Sequence, residues 1–211
     1  MADIPLGEVI LNNCRLSFAD LFKPGKPQKN DKGEMVPGKY KCNLLMEKGT
    51  EDTKKNLAKL KLANTQVKTD KWGEEKKWPK LKPEKVYLRD GDQEDWDGYE
   101  GCFYVSANNP NQPVLIDRKK DAKGKWIELT IENGGSKLLY SGCYVNAIIR
   151  VWAQDNEFGK RVNASIESVQ FLRHGEAFSG GAPVDPNGKF EDIEDDEDQI
   201  GDEDDDAGNL V

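Results

Sequence analysis

The sequence predicts a mainly β protein: a small antiparallel barrel with one inserted helix and a disordered acidic C-terminal tail. Three observations carry that prediction. Apolar residues alternate with polar ones at a period of two through most of residues 8–172, a single stretch has helical character, and residues 191–211 hold twelve Asp and Glu with no Lys or Arg. Short strands that follow one another without alternating helices fit a closed or partly open barrel, because a parallel α/β sheet needs a helix in each crossover.

The elements follow in chain order. "EVILNNCRLSF" reads as the first strand, and "GKYKCNLLMEK" as the next, with Tyr40, Cys42, Leu44 and Met46 on one side and Lys39, Lys41 and Asn43 on the other. The helix follows Thr50, an N-cap residue. In "EDTKKNLAKLKLANTQVK" acids occupy the first turn, and Leu57, Leu60, Asn64 and Val67 share a face. "GCFYVSA" sets Phe103, Val105 and Ala107 against Tyr104 and Ser106, and "PVLIDRK" and "KWIELTI" are further strands. The clearest alternation is "YSGCYVNAIIRVWAQDN". There Val145, Ala147, Ile149, Val151 and Ala153 form one face, and Tyr144, Asn146, Ile148, Arg150 and Trp152 form the other. "RVNASIESVQFL" closes the set. Residues 1–178 are thus one domain, 179–190 a Gly/Pro linker, and 191–211 the acidic tail, too polar to bury a core.

Charge is divided along the chain. The net charge is −8, yet all 31 Lys and Arg precede Glu191 while twelve of the 39 acids follow Phe190, which leaves residues 1–190 at +4. A basic body joined to an acidic tail is a pattern of nucleic-acid proteins. Cys14, Cys42, Cys102 and Cys143 are widely spaced with no C-x-x-C pair, and His174 is the single histidine, so the thiols read as reduced core residues and no metal site is expected. The start "MADIPLGEVILNNC" has neither a basic n-region nor a long apolar h-region, and no apolar run reaches about 18 residues, so the expectation is a cytoplasmic protein with no membrane contact.

Catalysis is not expected, since any nucleophile–base pair built on histidine would rest on His174 alone. No phosphate loop or dinucleotide fingerprint occurs, and no cofactor is implied. "RDGDQEDWDG" places Asp90, Asp92, Glu94 and Asp95 at spacings partly suited to calcium, but Asp95 stands where the loop glycine belongs, so a solvated acidic turn is expected. What remains is aromatic residues interleaved with cations, in "GKYKC", "KWGEEKKWPKLKP", "DRKKDAKGKW" and "RVWAQDNEFGKR". Cations that track a backbone and rings on which unpaired bases stack are what a single-stranded nucleic acid requires.

The chain also resembles the phage single-stranded DNA-binding proteins, small OB-folds with an acidic C-terminal tail. The resemblance is carried by "GCFYVSANNPNQPVLID", by Tyr140, Gly142 and Val145 in a Y-x-G-x-x-V pattern, by "YSGCYVNAIIRVW" and by "VNASIESVQFLRHGEAF" leading to the tail, and it covers nearly the whole chain. Many such tails end in an aromatic residue; this one ends Asn209, Leu210, Val211. The resemblance implies a non-catalytic protein that coats transient single-stranded DNA in phage replication and recombination, within the host cytoplasm. Its tail would compete for the DNA groove and recruit replication proteins such as DNA polymerase or helicase–primase, and a homodimer is left open. Tyr104, Tyr144, Trp152, Trp72 and Trp78 are the candidates for base stacking, and Lys39, Lys41, Arg150, Arg118 and Lys119 for phosphate contacts. The rival expectation is an acidic-tailed interaction or chaperone module that never touches DNA.

Overall fold

Alternation this regular folds into strands wherever each apolar face finds a partner, and the computed structural model, which describes residues 5–29 and 33–178, shows that partner to be the barrel interior. The predicted linker and acidic tail lie outside the described residues. In chain order the elements are β1 (Glu8–Asp20), β2 (Gln28–Lys29), β3 (Met35–Val36), β4 (Tyr40–Glu47), α1 (Glu51–Trp72), β5 (Leu88–Asp90), β6 (Cys102–Asn109), β7 (Val114–Lys120), β8 (Trp126–Glu128), α2 (Gly135–Leu138), β9 (Tyr144–Asn156) and β10 (Gly159–Arg173). One sheet has the order β5-β6-β4-β1-β9-β10-β7-β8, and β2 and β3 form a separate hairpin. Pairing is antiparallel except between β7 and β10. The sheet curls until β10 lies against β6 and the segment before β5: Asn109 Nδ2 donates to the Ile166 carbonyl (2.8 Å) and the Tyr87 amide to the Val162 carbonyl (3.0 Å). Five strands, β1-β4-β6-β10-β9, therefore enclose the core as an OB-fold-like barrel, with one substantial helix inserted, as the sequence predicts.

Val145, Ala147, Ile149 and Val151 point inward against Leu11, Leu16, Leu44, Val105 and Ile166. Thr50 caps α1, its hydroxyl accepting from the Thr53 amide at 3.2 Å. The buried stripe of α1 differs from the one expected: Leu60 and Val67 belong to it, but Thr53, Asn56 and Ala63 complete it while Leu57 only flanks it. Three cysteines are core residues, and burial pushes the thiols of Cys14, Cys42 and Cys143 up to about 12; Cys102 is only half-buried. The short strands β2, β3 and β5 carry too few residues to show a period.

The stripe contains polar residues because β1 is bulged. Its register against β9 shifts between Leu11 and Cys14, and Asn13 adopts a left-handed conformation (φ 52°). The freed backbone of Asn12 is satisfied by one helix side chain: its amide donates to Asn56 Oδ1 (3.1 Å), and its carbonyl accepts from Asn56 Nδ2 (2.8 Å). Asn56→Leu strands both backbone groups in the interior and is expected to destabilise the fold by about 2–4 kcal/mol. Urea unfolding checks this: the midpoint falls while the slope holds.

Candidate nucleic-acid interface

Lys39, just before β4, and Lys41, on its outer side as alternation requires, fold with the β2–β3 hairpin into a cleft of about 420 Å³. Lys26 and Lys29 join them from the hairpin, Asn43, Ser106 and Asn108 line it from β4 and β6, and Phe18 stands at its edge. The hairpin is fastened where two glycines meet. Gly25 donates its amide to the Lys39 carbonyl (2.9 Å), and a Cβ on Gly38 would fall 1.6 Å from the Gly25 carbonyl oxygen. Lys41 is 3.5 Å from Asp20, a half-exposed ion pair of the kind that solvent weakens.

Phe18 is the feature that alternation hides. Cys14 and Leu16 point into the core, so a regular strand would bury Phe18 as well. Instead its φ is +47°, the register against β4 shifts between Ser17 and Asp20, and the ring turns outward, 49% exposed. A bulky residue in the left-handed region is strained and persists only where its surroundings hold it. Here the ring meets Trp96 edge-on at 5.2 Å and Tyr99 at 6.1 Å.

Trp96 and Tyr99 belong to the acidic segment 91–101, whose carboxylates are largely solvated, as expected, while specific bonds pin the loop to the barrel. Lys48 Nζ holds Asp90 (2.5 Å) and Asp92 (2.6 Å), and both bonds raise the Lys48 pKa. Asp92 also accepts from the Gly101 amide (2.6 Å), and its own pKa is lowered, by Lys48 first and by that amide second. Tyr99 takes a hydrogen bond from Asn43 Nδ2 at 2.6 Å. No cluster suited to a metal ion occurs among the described residues.

The ten sequence candidates separate. Lys39 and Lys41 line the cleft. Tyr104 lies on the outer side of β6 as alternation predicts, but the acidic loop covers it: the ring is fully buried, its hydroxyl donates to Glu94 at 2.5 Å, and burial together with that carboxylate pushes the phenol up to about 12. In this arrangement Tyr104 presents no face to a base. Tyr144 carries the Arg173 guanidinium 3.7 Å above its ring. Trp152 is exposed and donates to Ser165 Oγ (3.1 Å), while Arg150 lies between Glu8 (3.9 Å) and Glu167 (3.5 Å). These two sit level with the first residues of β1, whereas the cleft begins near its end. Arg118, which donates to the Leu172 carbonyl (3.0 Å), and the exposed Lys119 belong to β7. Trp72 and Trp78 gather at the end of α1, donating to Asp155 (3.0 Å) and to the Gly73 carbonyl (2.9 Å). The cleft residues that sequence reasoning missed are Phe18, Lys26 and Lys29, with Trp96 beside them. The lysines follow an obvious signal, "KPGKPQK", while Phe18 and Trp96 had none that the period-two pattern could reveal.

Residues 7–200 match the family described as Enterobacter phage Enc34, ssDNA-binding protein. The chain belongs to that family. It is 38% identical over 179 residues to "putative protein p50" of Acyrthosiphon pisum secondary endosymbiont phage 1, covering 82% of this chain and 88% of that one. It is also similar to the single-stranded DNA-binding protein from bacteriophage Enc34 in complex with ssDNA, with a TM-score of 0.64 and 29% identity over 82% of this chain and 90% of that one. A second structure of the Enc34 protein gives 0.61 and 28%, over 88% and 90%.

The glycine contact makes the hairpin wall separable from the barrel. Gly38→Val is expected to push the hairpin off its base and open the cleft while the core survives. Limited proteolysis checks this: new cleavage appears within 24–39, with the melting temperature lowered by only a few degrees.

Proposed function

We propose that the protein binds single-stranded DNA in the lysine cleft, with little sequence preference, and coats transient single strands during phage replication and recombination. The observation that carries this reading is Phe18: an exposed ring in a strained conformation at the edge of a cleft that also holds Lys26, Lys29, Lys39 and Lys41. Lysines follow phosphates and a ring stacks on any base, so the pairing binds strands without reading them. Membership of a family named for ssDNA binding supports the same ligand.

The acidic tail fits as an internal competitor for the cleft and, once displaced, as a lure for replication proteins such as DNA polymerase or helicase–primase. Thirty-three residues follow Phe178, thirteen of them acidic. A coil of about 30 residues spans roughly 30 Å, and short tethers hold their ends at effective concentrations near the millimolar range.

Two sets of measurements test the reading. Phe18→Ala is expected to weaken oligo-dT binding by one to two powers of ten, the cost of about one stacked base. With roughly four phosphates neutralised, log affinity should fall with log salt at a slope of about −3, and Lys39→Ala with Lys41→Ala should bring it to about −1.5. Tryptophan quenching reads both. Silence in Phe18→Ala combined with an equal loss in Trp152→Ala would move the site to the outer face of β9. Ending the chain after Gly188 should tighten binding at low salt, with the gain fading as salt screens the carboxylates; equal affinities would remove the competitor role.

A further inference from the structure

After β10 the chain runs back across the outer face of the barrel, and glycines make the passage. Gly142 has a φ of 117°, and a Cβ there would fall 2.2 Å from the Glu176 carbonyl oxygen; one on Gly175 would meet the Gly142 carbonyl oxygen at 2.3 Å. Arg15, between β4 and β9, clamps the strap by donating to the Gly142 (3.3 Å) and Glu176 (2.6 Å) carbonyls. Tyr140 does the same from the other side, with its hydroxyl donating to the Gly175 carbonyl at 2.8 Å.

The strap ends in an aromatic plug. The Phe178 amide donates to the Ser141 carbonyl (3.1 Å), Arg15 stacks on its ring at 4.1 Å, and the ring packs onto the small buried cluster of Leu45, Tyr99 and Tyr104. The Phe178 ring also lies on Gly98, where a Cβ would come 2.1 Å from its Cε1 atom. Gly98 and Tyr99 are the turn of the acidic loop, and Trp96 is wedged edge-on between Tyr99 (5.0 Å) and Phe18 (5.2 Å). Contact is continuous from the strap, through Phe178, Tyr99 and Trp96, to the ring at the mouth of the cleft.

We propose that Phe178 is a positioning residue for the DNA cleft: it holds the 91–101 loop so that Trp96, 42% exposed, stands beside Phe18 as a second stacking platform. The inference rests on the cleft being the ssDNA site. It gives the segment before the acidic tail a role opposite in sign to that of the tail itself, since the strap builds the site that the carboxylates contest.

Oligo-dT titrations of the full chain and its variants, with melting curves on each, test it. Phe178→Ala is expected to bind about tenfold more weakly, the effect of misplacing one stacked ring. Trp96→Phe should lose a similar factor, and the double variant no more than either alone, because both act through one platform; a purely structural loss at Phe178 would add to that at Trp96. A chain ended after Phe178 should bind at least as tightly as the whole protein. Should Phe178→Ala fail to fold, Phe178→Leu keeps the socket filled without the flat ring on Gly98, and is expected to lose about threefold, again without adding to Trp96→Phe. Full affinity in a folded Phe178 variant, or additive losses, overturns the proposal. Overturned while Lys41→Ala still weakens binding, it leaves the cleft as the site; if Lys41→Ala and Phe18→Ala are also silent, the cleft reading falls with it.

Discussion

The barrel closes because β1 changes partner in mid-strand. Through Arg15 it pairs with β9, and from Arg15 onward with β4, so one strand belongs to both halves of the sheet. A strand that turns a corner needs extra residues on its outer side, and β1 supplies them at Asn13 and near Phe18, both left-handed. The first bulge is absorbed by side chains from every neighbour: Asn56 on the Asn12 backbone, Asn146 accepting from the Asn13 amide, and Asp52 and Arg173 on the Asn13 side chain. The second is absorbed by aromatic packing, and it turns a residue that would have been core into the edge of the cleft. The corner that closes the barrel and the ring at the edge of the cleft have one cause.

Across the cleft the chemistry is divided. The hairpin and β4 side contributes lysines, and beside the Phe18 edge the 91–101 loop contributes rings mounted on a backbone dense in carboxylates that Lys48 and Tyr104 hold in place. A phosphate backbone is attracted to the lysines and repelled by the carboxylates of the loop, while rings for stacking stand at Phe18 and Trp96. On the proposed reading, charge would orient the backbone toward the lysines and stacking would orient the bases toward Phe18 and Trp96.

Much of this was legible, and the rest was not for definite reasons. Alternation located the long strands and the outward lysines Lys39 and Lys41, because a half-buried strand must repeat every second residue. It also put Tyr104 on the outer side correctly. Alternation says nothing, however, about what lies above that side, and here the acidic loop and Phe178 form a second layer over Tyr104 and Leu45. Phe18 escaped because a positive φ breaks the period that would have assigned it. "RDGDQEDWDG" is solvent-facing as read, but its anchoring was hidden because its partners, Lys48, Asn43 and Tyr104, come from segments distant in sequence. The Y-x-G-x-x-V pattern acquires a physical reason: Tyr140 and Gly142 are where the strap crosses the sheet, and only a residue without a side chain lets its carbonyls pass.

The hairpin fastened at Gly25 and Gly38 has its attachment at the root, away from the core. Adding residues at its far end costs little, since each doubling of a loop adds only about 0.6 kcal/mol of closure entropy. The wall of the cleft can thereby lengthen or shorten without repacking the barrel core. If the cleft is the strand site, as proposed, the number of nucleotides covered by one molecule becomes a trait that can be adjusted separately from stability, through insertions and deletions between two glycines.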